Sequence, residues 1–446
     1  MGTDTRHSTT TKRHLENCGV PVRRRLLAKI QCPHCWTFFQ SEDICWVANH
    51  PDLRGDSILT VDSPKRFVPS RFAVSGEALD AFDAPCRHLA CPHCHLILPS
   101  VLLEHKSRIM SIAGTPGSGK TYFLTSASWQ LRQILDRGFG LAISDADPES
   151  NQALVKNEQL MFLPENPNQL VVLEKTQLEG TQYSTVQIEP GQTITLPQPF
   201  MFTIRPTARH VNARGAELLT EVLCMYDNAG EHFLPGSDSL TSPTTQHLSH
   251  SKNIFFLFDP SQDVRFRSRL LGLSSDPQIG QVRRAFRQDN VLLEMAARIR
   301  RHAGMSADEK LRQPLTIVVT KSDIWKKLLK GFDIETEPYQ LEERLSGSIL
   351  GRINKDYVEL VSRQIENLLV ETVPEFVSAV NDISAQALYI PVSATGGATQ
   401  LDPSTGLLKI RAADVKPCWA TVPFLYEFSR WGKLVGSIRQ EGTSFV

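Results

Sequence analysis

Gly-Thr-Pro-Gly-Ser-Gly-Lys-Thr, residues 114–121, has the G-x-x-x-x-G-K-[ST] spacing of a loop that wraps phosphate. Gly114, Gly117 and Gly119 let successive backbone N–H groups curl around an anion, with Thr115, Pro116 and Ser118 completing the curl. Lys120 is placed to reach β- and γ-phosphates, and the Thr121 hydroxyl to ligate Mg²⁺. An apolar run, "RIMSIAG" (108–114), precedes the loop, and an amphipathic one, "YFLTSASWQLRQIL", follows it. That strand–loop–helix setting separates the motif from a chance glycine-rich turn and predicts a P-loop nucleoside triphosphatase.

A second chemistry is written in "CPHC", which occurs at Cys32–Cys35 and again at Cys91–Cys94. Each turn aims two thiolates at one point, so the two pairs predict a tetrahedral S₄ zinc site. With four protein ligands such a site is closed and structural. A redox use of a Cys-x-x-Cys pair competes, and Cys45, Cys86, His34, His88, His93 and His95 offer replacement ligands or a second ion site. Trp36, Phe38, Phe39 and Trp46 form either a recognition face or a small core; the module docks a protein partner, nucleic acid or the rest of the chain.

Phosphoryl transfer also needs a carboxylate at a strand end. "LCMYDNAGEHF" supplies Asp227 after an apolar run, with Gly230 three residues on, although an ordinary Asp-Asn-Ala-Gly turn reads the same way. A further apolar run ends at Thr320-Lys321-Ser322-Asp323, where Asp323 either reads a base or N-caps "IWKKLLK".

In order, GTPGSGKT, DNAG (227–230), TKSD (320–323) and SAT (393–395) make the chain resemble P-loop GTPases of the translation-factor-related (TRAFAC) class. The resemblance covers most of 106–446. It implies that Asp323 accepts hydrogen bonds from guanine N1–H and the 2-amino group, that Lys321 packs along the base, and that Ser393-Ala394 supports O6. It also implies that Thr320 replaces the commoner Asn, that Asp227 serves Mg²⁺, and that Gly230 meets the γ-phosphate. Glu231 stands where many relatives place a water-orienting Gln; His232, Arg283, Arg284 and Arg287 are candidate auxiliaries, and Thr176 or Thr181 the switch threonine. Asp145 or Asp147, in "LAISDADPESN", is either a metal-sensing carboxylate or a helix-capping turn. The layout, with a C-terminal "VPFLYEFSRWG" helix, looks similar to GTPase components of bacterial conflict (antiviral-type) systems. The implied function is a GTP- and GDP-binding, hydrolysing regulatory switch with Mg²⁺, a structural zinc and an unidentified protein partner. The alternatives are an ATP-driven remodeller, a metallochaperone GTPase, or a binding protein with an inert phosphate loop.

The elements that must position these residues read as an α/β fold, a mostly parallel sheet flanked by helices, behind an N-terminal zinc-ribbon-like module. Residues 1–20 read as a disordered leader, 21–105 as the module, and 106–446 as the nucleotide domain, with an insertion at 148–198. Strands are predicted at 108–114, 200–206, 219–227, 253–259, 315–320 and 387–393. Helices are predicted after Gly119, over 280–303 and 338–371, and at 423–437. Over 446 residues Lys plus Arg equals Asp plus Glu at 48 each, which removes any global polyanion signal and leaves nucleic acid without support. No run approaches the roughly 20 apolar residues of a membrane span, and no signal-peptide core is present, so a cytoplasmic protein is expected. The nine cysteines then favour metal over disulfides.

Overall fold

Runs rich in Ile, Val, Phe and Leu pair edge to edge because such side chains suit a sheet covered on both faces. The computed structural model describes residues 26–173, 183–189, 192–228, 230–233, 243–280, 287–343, 347–397, 399–402, 404–406 and 408–438. Its main sheet contains β1 (Lys106–Gly114), β2 (Leu141–Asp145), β3 (Phe200–Pro206), β4 (Glu221–Asp227), β5 (Asn253–Phe258), β6 (Leu315–Val319) and β7 (Ala387–Pro391). The order across it is β2-β3-β4-β1-β5-β6-β7. β3 runs against β2 and β4; every other neighbouring pair is parallel. The carboxyl ends of β1, β4, β5, β6 and β7 therefore share one edge, where open α/β sheets bind ligands.

Six helices matter for the site and its support: α1 (Lys120–Ile134), α2 (Pro148–Phe162), α3 (Gln288–Ala303), α4 (Lys355–Thr372), α5 (Pro374–Ile383) and α6 (Val422–Arg430). Phe123, Leu124 and Leu131 of α1 share a core with Ile112 of β1 and Leu223 and Met225 of β4. The alternate residues of those strands take the other face. Ile109, Met201, Val222, Cys224 and Tyr226 pack against Trp36, Phe39 and Leu98 of the cysteine module. Strand alternation thus gives β4 two buried faces with different partners.

The six predicted strands are all present, and four differences stand out. β2 was not among the expected strands; it is short, half-buried, and pairs at the sheet edge with β3. Within 148–198, read as an insertion with no helix assigned, residues 148–162 form α2, capped by Asp147 and started by Pro148. The predicted helix 338–371 begins as a strand pair, Tyr339–Glu343 with Ile349–Asn354, before α4. At Gly351 that pair passes against the Phe139 ring, where a Cβ would lie 2.1 Å from it. The last helix stops at Arg430, followed by Gly432 in the left-handed region and a strand at Gly436–Ile438. Among the described residues no helix is long and apolar enough to cross a membrane.

Candidate functional site

The phosphate loop leaves β1 and enters α1 through Gly119, whose φ of +94° lies in the left-handed region. Lys120 is buried, and its ammonium donates to the carbonyls of Gly114 (3.1 Å) and Thr115 (3.0 Å). Burial lowers its pKa from the ordinary lysine value. Beside it, Thr121 Oγ1 donates to Asp227 Oδ2 at 3.2 Å, so a hydroxyl from α1 and a carboxylate from β4 meet next to the loop. Hard oxygen donors in that position fit Mg²⁺.

Gly230 lies directly on the phosphate loop. A Cβ there would come within 2.5 Å of Pro116 N and 2.7 Å of Thr115 C, so only glycine permits this approach. Glu231 lines the same cavity. His232 turns to Tyr183, with 3.1 Å between Nε2 and the phenol oxygen. Arg287 is exposed and paired with Asp289, whereas Arg283, Arg284, Thr176 and Thr181 lie outside the described residues. Asp147 caps α2, as the capping alternative has it, and Asp145 pairs with Arg132 at 2.6 Å; neither lines the cavity.

The cavity measures about 610 Å³ and runs from Pro116, Gly117, Ser118, Gly119, Lys120 and Thr121 to Thr320, Lys321 and Asp323. Ser393 and Ala394 border the same end, and Val172, Leu173 and Ile410 add an apolar wall. Asp323 sits inside the first turn of a short helix, Ser322–Trp325, so capping is not its role. Its Oδ1 accepts from Ser393 Oγ at 2.5 Å, and Ser393 Oγ in turn accepts from Gly396 N at 2.8 Å. Burial raises the pKa of Asp323 above the ordinary carboxylate value, and the Ser393 hydrogen bond opposes it. Thr320 Oγ1 donates to Phe258 O at 3.2 Å, tying β6 to β5. Ala394 O accepts from Ser126 of α1 at 2.6 Å, so the Ser-Ala turn is anchored to the phosphate-loop helix.

Lys321 is held at a left-handed φ of 55° and donates to Asp259 (2.6 Å), Ser261 (3.0 Å) and Gln278 (2.9 Å). Asp259 is fully buried and also accepts from Gln262, whose amide spans Thr115 and Pro116. One polar chain therefore joins the Thr320–Asp323 end of the cavity to the phosphate loop. Asp259, Ser261, Gln262 and Gln278 escaped the motif reading. The only local hint was "FDPSQ" directly after an apolar strand.

At the module, the Sγ atoms of Cys32, Cys35, Cys91 and Cys94 all lie within 4.8 Å of one another. The Cys32–Cys94 and Cys35–Cys91 separations are 3.8 and 3.7 Å. A tetrahedron of sulfurs about 2.3 Å from zinc has edges of about 3.8 Å, so the set fits that ion. Backbone N–H groups of His34 and Cys35 point at Cys32 Sγ, and that of His93 at Cys91 Sγ, which suits thiolate charge. Among the described residues this is the one group of His, Cys, Asp and Glu placed to hold a metal; Cys45, Cys86 and the four nearby histidines lie outside it. Trp36 and Phe39 are core, while Phe38 is exposed.

No family model matches the chain. A curated relative, SaeC of Mycolicibacterium smegmatis, a proposed ESX-1 scaffolding and assembly protein, is 24% identical over 258 residues. The match covers 54% of this chain and 60% of that protein, so the chain spans less than two thirds of its relative's length. Among solved structures, Sup35 complexed with GDP gives a TM-score of 0.22 at 9% identity, covering 65% of this chain and 38% of that one. Elongation factor SelB from Methanococcus maripaludis, with the GTP analogue GppNHp, gives 0.19 at 10%, covering 65% and 30%. The signal recognition particle receptor SRb-GTP/SRX complex from Chaetomium thermophilum gives 0.21 at 11%, covering 65% and 94%. At such scores these likenesses carry no argument about this chain.

Proposed function

We propose that the chain binds GTP with Mg²⁺ and hydrolyses it, acting as a regulatory switch, and that its module (21–105) holds a structural zinc beside the nucleotide domain (106–446). The observation that supports this reading is a single cavity with the phosphate loop at one end and Asp323, held by Ser393, at the other. Guanine presents an N1–H and a 2-amino group to such a carboxylate. Adenine lacks that donor pair and would leave a largely buried acid unpaired.

Thr121 and Asp227 would hold Mg²⁺, which when bound neutralises charge developing on the β- and γ-phosphoryl oxygens. Lys120 exchanges its two carbonyl contacts for phosphate oxygens. Gly230, pressed on Pro116, brings a backbone N–H to the γ-phosphate. Glu231 can accept a hydrogen bond from the attacking water but, when ionised, cannot donate one as a Gln amide does. Slow intrinsic hydrolysis follows, and the nucleophile is a water oriented by Glu231 or by a partner's group.

Three alternatives lose ground. An ATP-driven remodeller would carry an Asp-Glu pair after a strand, whereas Asn228 follows Asp227 and Pro260 follows Asp259. A metallochaperone needs accessible thiols, whereas Cys32, Cys91 and Cys94 are buried. An inert phosphate loop would not need Gly230 so close. The proposed output is assembly with a protein partner in the cytoplasm, a reading the likeness to SaeC favours over a place in bacterial conflict systems. Titration of the full chain with GTP and with ATP, each with Mg²⁺, tests the reading: GTP should bind about 10⁴-fold more tightly. Equal affinities would overturn it.

A further inference from the structure

Asp227 and Tyr226 are neighbours on β4, so their side chains leave opposite faces of the sheet. Asp227 meets Thr121 at the nucleotide site. Tyr226 is fully buried on the other face, where its hydroxyl donates to the carbonyl of Pro33, inside the first cysteine turn. The same hydroxyl accepts from Trp36 Nε1 at 3.1 Å, so the phenol is clasped at both ends of that turn.

A second grip comes from the short helix His247–His250. The His247 ring stacks on Tyr226 with centroids 4.3 Å apart and planes 5° apart, and its Nδ1 lies 2.5 Å from Ser111 Oγ of β1. His250 stacks on Trp36 at 6.1 Å and 11°, and its Nδ1 lies 3.3 Å from Gln31 Nε2. The first cysteine turn is thus held by the end of β4 and by the helix that follows Gly230 in the chain. The second turn has no hydrogen bond to Tyr226: its His95 is paired instead with Asp56, at 2.8 Å.

We infer that the γ-phosphate sets how tightly the first cysteine turn seats on the sheet, making the turn at Cys32–Trp36 the readout of the nucleotide switch. This rests on the GTP reading above. A γ-phosphate fixes Asp227 and Gly230, and that fixes the carboxyl end of β4 and with it the Tyr226 phenol between Pro33 and Trp36. Its loss frees the strand end and loosens the turn. By linkage, a turn held in place favours GTP over GDP by the same factor.

Hydrogen exchange on the full chain tests this, read at the amides of Cys32 and Trp36, which are bonded to Thr37 O and Cys32 O. The matching amides of Cys91 and His95 in the second turn serve as the internal reference. Exchange at the first turn should be about tenfold slower with a non-hydrolysable GTP analogue than with GDP, and the second turn should change far less. In His250→Ala, which removes the Trp36 stack and the Gln31 contact, both nucleotides should still bind while the difference at the first turn shrinks. Tight binding of both nucleotides with equal exchange at the first turn would overturn the inference and leave the GTP reading standing. An equal change at both turns would also overturn it. Failure to bind either nucleotide would overturn both.

Discussion

The cysteine centre and the phosphate-loop cavity lie on either side of β4 and are assembled in opposite ways. Four sulfurs come from two turns of one sequence, and even the backbone repeats: Trp36 and His95, each next after a cysteine pair, both sit at φ 59°. The same hydrogen bonds close both turns, Trp36 N to Cys32 O and His95 N to Cys91 O, each 3.0 Å. The cavity repeats nothing. It is lined from the ends of β1, β4, β6 and β7, and its lysine is positioned by Asp259 after β5. A metal centre can be encoded locally because the ion does the gathering. A nucleotide site must be gathered by the sheet before any ligand arrives. Even identical turns diverge in what surrounds them: His34 is buried and Trp36 faces the sheet, whereas His93 is exposed.

The first way to break the comparison is to remove the gathering ion. Elemental analysis should find about one zinc per chain in the parent protein and none in Cys91→Ser. The substitution should destabilise the module on the order of 5 kcal/mol in thermal or denaturant unfolding. Retained metal and stability would mean that the turns hold themselves. Lys120→Ala should weaken GTP binding about 10³-fold while far-ultraviolet circular dichroism and zinc content stay those of the parent, because the cavity's frame does not depend on its ligand. Loss of fold in that variant would erase the contrast between the two sites. A finer test is Gly230→Ala, whose methyl meets the Pro116 and Thr115 backbone. It should weaken a GTP analogue about tenfold and leave GDP nearly unaffected in parallel titrations, since GDP has no γ-phosphate to meet. Equal losses would place Gly230 outside γ-phosphate sensing.

The same contrast explains what could be read in advance. The cysteine set and the phosphate loop were legible because each is written in short motifs, a four-residue turn used twice and one eight-residue loop. Five further strands were legible as apolar runs, but β2 was not: Leu141-Ala-Ile-Ser-Asp is too short and mixed to separate from a turn. The helix predicted over 338–371 failed in its first half because the strand around Gly351 is selected by its approach to Phe139, which sequence spacing cannot reveal. Asp259, Gln262 and Gln278 were missed for the same reason: their partners, Lys321 and the phosphate loop, are far away in the chain. The docking of the module on the sheet stayed one of three open options in the sequence, since Tyr226 and Trp36 carry no motif of their own.

Asp323 bears the weight of the guanine assignment, and exchanging its carboxylate for an amide reverses the hydrogen bonds it can make to a purine edge. Affinities of the parent and of Asp323→Asn for GTP and XTP, measured with Mg²⁺, test it directly. The parent should prefer GTP, and the variant should lose GTP by about 10²-fold or more while gaining XTP. An unchanged preference in the variant would contradict a base-reading role for Asp323.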